Sequence, residues 1–331
     1  MKHYTTLLII LFSFLSHFAQ AQGKINVVAS ASMWADMTEH IAGDKATIDR
    51  IVPIGGDPHT YEPTPSDAIK VSNADLILVN GLTFEGWIND LIGNSGTKAE
   101  TVLVTKYVTP ISSDDYENAT DPHAWMDAAN GRQYAKAIYE ALVKLDPDNE
   151  EYYTQNYNTY DREIADLDNY IKAEVATIPS DKRILVTSHD AFKYYGKAYG
   201  IQLEAIQGIS TEAEAQLSDM TRVTEVIQRT KIPAIFVEST INPKMLQQIA
   251  KDNNIAIGGE LFADSLGKKG GEGGTYISML KHNTDIIVKA LSKSEFTETT
   301  EETSTNNLYL YLALGIGLLL IMGLAFTKLT K

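Results

Sequence analysis

The 331 residues contain seven histidines and no cysteine. A tight transition-metal site in this chain must therefore be built from imidazole, carboxylate and backbone oxygen. Two histidines close the same tripeptide, Asp57-Pro58-His59 and Asp121-Pro122-His123. Proline fixes its own φ and keeps the preceding residue out of helix, so each imidazole is expected on a stiff turn. His189, in Thr187-Ser188-His189-Asp190, follows an apolar strand pattern directly, and Asp264, in Leu261-Phe262-Ala263-Asp264-Ser265, lies just past another. Three imidazoles and one carboxylate make a complete set for a borderline divalent metal. Such a closed set holds the ion and leaves no evident position for a reacting water. Asp57, Asp121 and Asp190 could accept from the imidazoles or could equally cap turns. His40, behind Glu39 in a helical run, reads as a surface residue, and His282, in the last helical run, as a structural one.

These four residues need elements that bring them together, and the chain supplies strands alternating with helices. Strand patterns fall at residues 24–30, 47–53, 76–80, 101–104, 183–187, 203–207, 234–237 and 255–261, with helical patterns at 33–42, 66–72, 130–145, from about 191, 243–253 and 276–291. Ser210-Thr211-Glu212-Ala213-Glu214 reads as a capping signal that opens a helix running to about Arg229. Tyr152, Tyr153, Tyr157, Tyr160, Ile164, Leu167 and Ile171 recur at helical spacing, so residues 149–176 are expected to form one helix of ~40 Å. The alternation predicts an α/β fold of two lobes with largely parallel sheets, in which ligands bind beyond the carboxyl ends of the strands. The expected division is 22–147 for the first lobe, 148–180 for the linking helix and 181–291 for the second lobe.

Composition narrows the function. The net charge of −15 argues against nucleic acid, which needs a basic face. Without cysteine, disulfides, thiolate zinc sites, Fe–S clusters, thiol nucleophiles and a lipid-bearing cysteine are excluded. The first 21 residues, apolar from Leu7 to Phe18 and ending Ala19-Gln20-Ala21, read as a secretory signal peptide. Residues 292–307, rich in Thr, Glu and Ser, read as a disordered linker. Residues 308–327 are apolar, with Tyr309 and Tyr311 at one edge and Lys328 and Lys331 behind, and read as a transmembrane helix with the lysines in the cytoplasm. An extracytoplasmic protein anchored in the cytoplasmic membrane by its C-terminal helix is expected.

The run Pro53-Ile54-Gly55-Gly56-Asp57-Pro58-His59-Thr60-Tyr61-Glu62-Pro63-Thr64-Pro65-Ser66-Asp67 resembles the signature of the metal-specific solute-binding proteins of ABC importers, the zinc, manganese and iron group called cluster A-I. Asp121-Pro122-His123-Ala124-Trp125-Met126-Asp127, Ser188-His189-Asp190-Ala191-Phe192-Lys193-Tyr194-Tyr195, Gly208-Ile209-Ser210-Thr211-Glu212-Ala213-Glu214, Phe236-Val237-Glu238, Asp264-Ser265-Leu266-Gly267 and Gly274-Thr275-Tyr276-Ile277 follow in the order of that family. The resemblance covers residues 25–291. It implies two α/β lobes joined by one long rigid helix, a metal site in the inter-lobe cleft, and metal ligands at His59, His123, His189 and Asp264. It also implies a monomer that is not an enzyme and that delivers its ion to a membrane permease and its ATPase. Zinc-dedicated members often carry a His-rich acidic loop, whereas Ser112-Ser113-Asp114-Asp115-Tyr116-Glu117-Asn118 is acidic without His. Manganese-specific members tend to have Glu where His189 stands. The imidazole set places Zn2+ first as cargo, then Mn2+, then Fe2+. Two other readings are a surface adhesin or scaffold with a structural metal, and a metallohydrolase with Glu238 or Glu62 as base.

Overall fold

The structure is a computed structural model that describes residues 23–112, 120–212 and 215–292. The expected signal peptide, the linker from residue 293 onward and the 308–327 span lie outside the described residues. Among the described residues no helix is long and apolar enough to cross a membrane.

The first lobe is a sheet of four parallel strands, β1 (Ile25–Ala29), β2 (Ala46–Arg50), β3 (Leu76–Val79) and β4 (Glu100–Leu103), ordered β2-β1-β3-β4. Every residue of the apolar run Leu76-Ile77-Leu78-Val79 is buried, as expected of a central parallel strand covered on both faces. Helix α1 (Ser32–Ala42) follows β1, and α2 (Pro65–Ser72) follows the His59 turn. Helix α2 starts where its sequence says it should: Thr64 and Asp67 form a capping box, and Pro65 sits at the first helical position. Helix α3 (Ile88–Ser95) was not legible in the sequence. Its Asn, Gly and Ser content is poor for helix, and only Ile88 and Leu91 are buried.

Helix α4 (Ala128–Leu145), capped by the Asp127 side chain, leads through a 3-10 turn at Pro147–Asn149 into α5 (Glu150–Ala176). Helix α5 is the long helix expected over 149–176, and it runs for 27 residues. It buries Tyr153, Tyr160, Ile164, Leu167, Ile171 and Val175 along one stripe.

The second lobe holds β5 (Ile184–His189) parallel to β6 (Gln202–Gln207), and β7 (Ala234–Glu238) parallel to β8 (Ala256–Leu261), with β5 beside β7. Its helices are α6 (Lys193–Tyr199), α7 (Leu217–Thr230), α8 (Lys244–Asp252) and α9 (Tyr276–Leu291). Here one expectation is corrected. Helix α7 begins at Leu217, capped by Gln216 with Asp219, not at Ser210 or Thr211. The Thr211 hydroxyl is engaged elsewhere, on Asp57.

The stripe of α5 packs against α1 and α4 of the first lobe and against α6 and α9 of the second. One apolar core therefore runs through both lobes, from Trp34, Trp125 and Tyr134 past Tyr160 and Ile164 to Tyr195, Phe236 and Tyr276. Two smaller clusters fill the outer faces, Val28, Ile51, Ile77 and Val79 in one lobe and Val186, Val223, Ile235 and Leu246 in the other.

Candidate metal centre

All four candidate residues sit past the carboxyl ends of strands. His59 lies in the turn after β2, His123 in the loop after β4, His189 at the last position of β5, and Asp264 three residues beyond β8. Each lobe contributes two of them, and the structure brings all four together in the cleft. One donor atom from each lies within 4.8 Å of the others, and all four residues are buried. His59 Nε2 is 3.3 Å from His123 Nε2. Asp264 Oδ2 is 3.1 Å from His189 Nε2 and 3.8 Å from His59 Nε2, and Asp264 Oδ1 is 3.5 Å from His123 Nε2. A tetrahedral ion with bonds of 2.0–2.2 Å needs donor–donor edges of ~3.3–3.6 Å, so the His59–His123 and His123–Asp264 distances match such an ion, while the full set, spread over up to 4.8 Å, would contract around it. Both Asp264 oxygens and His189 Nε2 are buried without a hydrogen bond among the described residues. Buried polar atoms that aim at one another without bonding are costly unless something charged joins them.

The electrostatics point the same way. Burial lowers His59 to about 4, against the pull of Asp264, and the neighbouring imidazoles of His123 and His189 lower it further. Burial opposes charge on His189 too, but the Glu238 and Asp264 carboxylates outweigh it and raise its pKa well above the ordinary histidine range. Burial likewise disfavours the Asp264 carboxylate, yet the charge of the nearby His189 ring, aided by His123 and His59, holds its pKa well below the usual range.

The imidazoles are oriented unequally. Asp121 Oδ1 accepts from the backbone N–H of His123 and lies 2.8 Å from His123 Nδ1, leaving Nε2 for the centre. Glu238 does the same for His189: Oε1 accepts from the N–H groups of Ser188 and His189, and Oε2 lies 2.6 Å from His189 Nδ1. Asp190 makes no hydrogen bond to that ring among the described residues. Its N–H donates to Gly208 O, and it lines a separate groove. Asp57 Oδ1 accepts from His59 N–H, but its second oxygen turns to Thr211.

The sequence did not reveal Phe84, whose ring stands edge-on to His59 and His123. It rides on a turn with Leu82 and Thr83 at positive φ, braced by buried Glu85, which accepts from Ser30 Oγ and from the N–H groups of Asn80 and Gly81. A Glu directly after a strand and a tight turn was the available signal for it. Trp125 closes another side, edge-on to His123, and its indole donates to Ala263 O beside Asp264.

His40 and His282 lie away from the four. His40 stacks on Tyr160 and approaches Asp36, while His282 approaches Glu260 O and packs on Phe262. Of the bases considered for a hydrolase, Glu62 is exposed and Glu238 is taken up by His189.

Two parallel-sheet lobes on one long helix, with a buried three-histidine, one-carboxylate centre in the cleft, define a metal-specific solute-binding protein of an ABC importer. The chain belongs to the ZnuA family, zinc-uptake complex component A, periplasmic, whose profile matches residues 27–290. It is 40% identical over 281 residues to the metal ABC transporter substrate-binding lipoprotein FimA of Streptococcus parasanguinis, covering 82% of this chain and 91% of that protein. It is 38% identical over 310 residues to the manganese ABC transporter substrate-binding lipoprotein PsaA of Streptococcus anginosus, covering 88% of this chain and 100% of that one. The structure is similar to the periplasmic zinc-binding protein TroA of Treponema pallidum, with TM-score 0.79 and 36% identity over 82% of this chain and 100% of that one.

Proposed function

We propose that this protein is the extracytoplasmic receptor of an ABC importer. It captures one divalent transition-metal ion on His59, His123, His189 and Asp264 and hands it to a permease driven by an ATPase. The observation that carries the reading is the convergence of four buried donors, two from each lobe, within 4.8 Å. The ion is cargo, and no residue is assigned a catalytic role. The site's principal carboxylate neighbours, Asp121 and Glu238, are engaged in orienting imidazoles.

The scaffold serves more than one metal, since TroA is described as zinc-binding and PsaA as a manganese receptor. Three imidazoles favour zinc here, because zinc stands above manganese and ferrous iron in affinity for nitrogen donors. A scaffold with a structural metal fits less well. The apolar core runs through both lobes along α5 and borders the centre only at one end, at Phe84 and Trp125, so the fold has its own support.

Relatives named as lipoproteins raise the question of the anchor. This sequence has no cysteine to carry a lipid, and residues 308–327 supply an apolar stretch of spanning length. We assign the tether to that stretch. The full chain is expected in the membrane fraction, and a chain ending at residue 291 in the soluble one.

Titration of the metal-free protein with zinc, manganese and ferrous iron in competition tests the cargo. One equivalent of each should bind, zinc most tightly. An absence of stoichiometric binding by any of the three would refute the receptor.

A further inference from the structure

We infer that Asp57 and Thr211 form an inter-lobe latch that controls exchange of the cargo ion, an inference that rests on the receptor reading above. Thr211 Oγ1 donates to Asp57 Oδ2 at 2.6 Å, joining the His59 turn of the first lobe to the segment between β6 and α7 of the second. The other oxygen of the same carboxylate accepts from His59 N–H at 2.9 Å. One side chain thus sets the turn that carries a donor imidazole and ties that turn to the opposite lobe.

The two Asp-Pro-His tripeptides differ on this point. Asp121 holds both the backbone and the ring of His123 through Oδ1, and its Oδ2 is buried with no hydrogen bond among the described residues. Asp57 reaches across the cleft instead. The Thr211 hydroxyl is free to meet it because α7 begins six residues later and is capped by Gln216.

A buried centre exchanges its ion only if some wall opens. A cavity of about 500 Å³ lies along the latch, lined by Asp57, Thr211, Ser188 and Thr240 among others. It therefore extends from the latch to the residue preceding His189. Asp57, Gln207, Thr240 and Asn242 among its lining residues make the wall partly polar, which suits it to water. On its other side the His59 turn is held by Gly55 N–H donating to Ser265 Oγ, and neither of those residues lines the cavity. Pro58 O stays held by the Trp87 indole at 2.8 Å, so release of Thr211 from Asp57 would let the Asp57-Pro58-His59 turn move with the first lobe, away from the segment that carries Thr211, and join the cavity to the centre.

The test is the rate at which a fluorescent chelator withdraws zinc from the loaded wild-type, Thr211→Val and Thr211→Ser proteins. Valine keeps the shape of threonine without the donor, and serine keeps the donor. A lost hydrogen bond to a charged group predicts ~10-fold or faster release from Thr211→Val. Thr211→Ser should stay within about twofold of wild type, because its hydroxyl restores that same bond. The Thr211→Val change should lower the melting temperature of the zinc-free protein by less than that of the loaded one. Wild-type release from Thr211→Val, or fast release from Thr211→Ser, would overturn the latch. So would a zinc-free Thr211→Val protein that melts lower by as much as the loaded one, which would make the bond a general structural tie. Failure of wild-type protein to take up one equivalent of zinc or manganese would instead remove the receptor reading, and the latch with it.

Discussion

Glu238 grips His189 at both ends: one oxygen accepts from the His189 backbone N–H at 2.9 Å, and the other lies 2.6 Å from Nδ1 of its ring. The ring is thereby held with Nε2 toward Asp264 and made more basic. Glu238→Gln keeps the size but loses the charge. It should weaken zinc binding ~10–100-fold while leaving the circular dichroism spectrum unchanged. Chelator competition measures this, and wild-type affinity would show that the pair does not tune the centre.

The proposed ligands are separable from the remaining histidines. His123→Ala should cost more than ~100-fold in affinity, beyond what loss of an outer carboxylate costs. His282→Ala and His40→Ala should bind like wild type, since neither ring reaches the centre. Isothermal titration of the three proteins decides the assignment. Unchanged binding by His123→Ala would remove that residue from the ligand set.

Loading should release a proton. Between them Glu238 and Asp264 keep His189 protonated above the ordinary histidine range, and an imidazolium cannot bind a metal. His59, at about 4, is already neutral near pH 7 and has no proton to give. Below the raised pKa of His189 each ion must displace one proton, so affinity falls about tenfold per unit as pH drops and levels off above that pKa. Calorimetry in buffers of different ionisation enthalpy should find about one proton released per zinc near pH 7. A value near zero would place the apo proton elsewhere.

Why these contacts were only partly legible follows from their range. His59 and His123 were visible because proline acts on its neighbours, and the α5 stripe because helical period is local. Strand ends in a parallel fold gave the general place of His189 and Asp264, and the choice of Asp264 rested most on the family resemblance. Long-range contacts left weaker traces. Glu238 meets His189 only because β7 lies beside β5, and in sequence it suggested only a hydrolase base, not an orienter. Thr211 carried a good capping pattern, but a carboxylate 154 positions away takes its hydroxyl. Helix α3 was missed because its residues individually prefer turns, while burial of Ile88 and Leu91 holds them helical.

The continuous core along α5 predicts how the protein unfolds. Tyr160 on α5 belongs to the same cluster as Trp34 of the first lobe and Tyr195 and Phe236 of the second, so neither lobe can lose its packing alone. Scanning calorimetry of a chain comprising residues 22–292 should therefore give one transition with matching calorimetric and van't Hoff enthalpies. Tyr160→Ala should destabilise the whole unit by ~3–5 kcal/mol, the usual cost of deleting a buried aromatic ring. Tyr160→Phe should cost little or stabilise, because the hydroxyl it removes is buried with no hydrogen bond among the described residues. Two resolved transitions in the wild type, or a Tyr160→Ala protein in which only one lobe melts early, would show that α5 links two independent domains instead of running through one core.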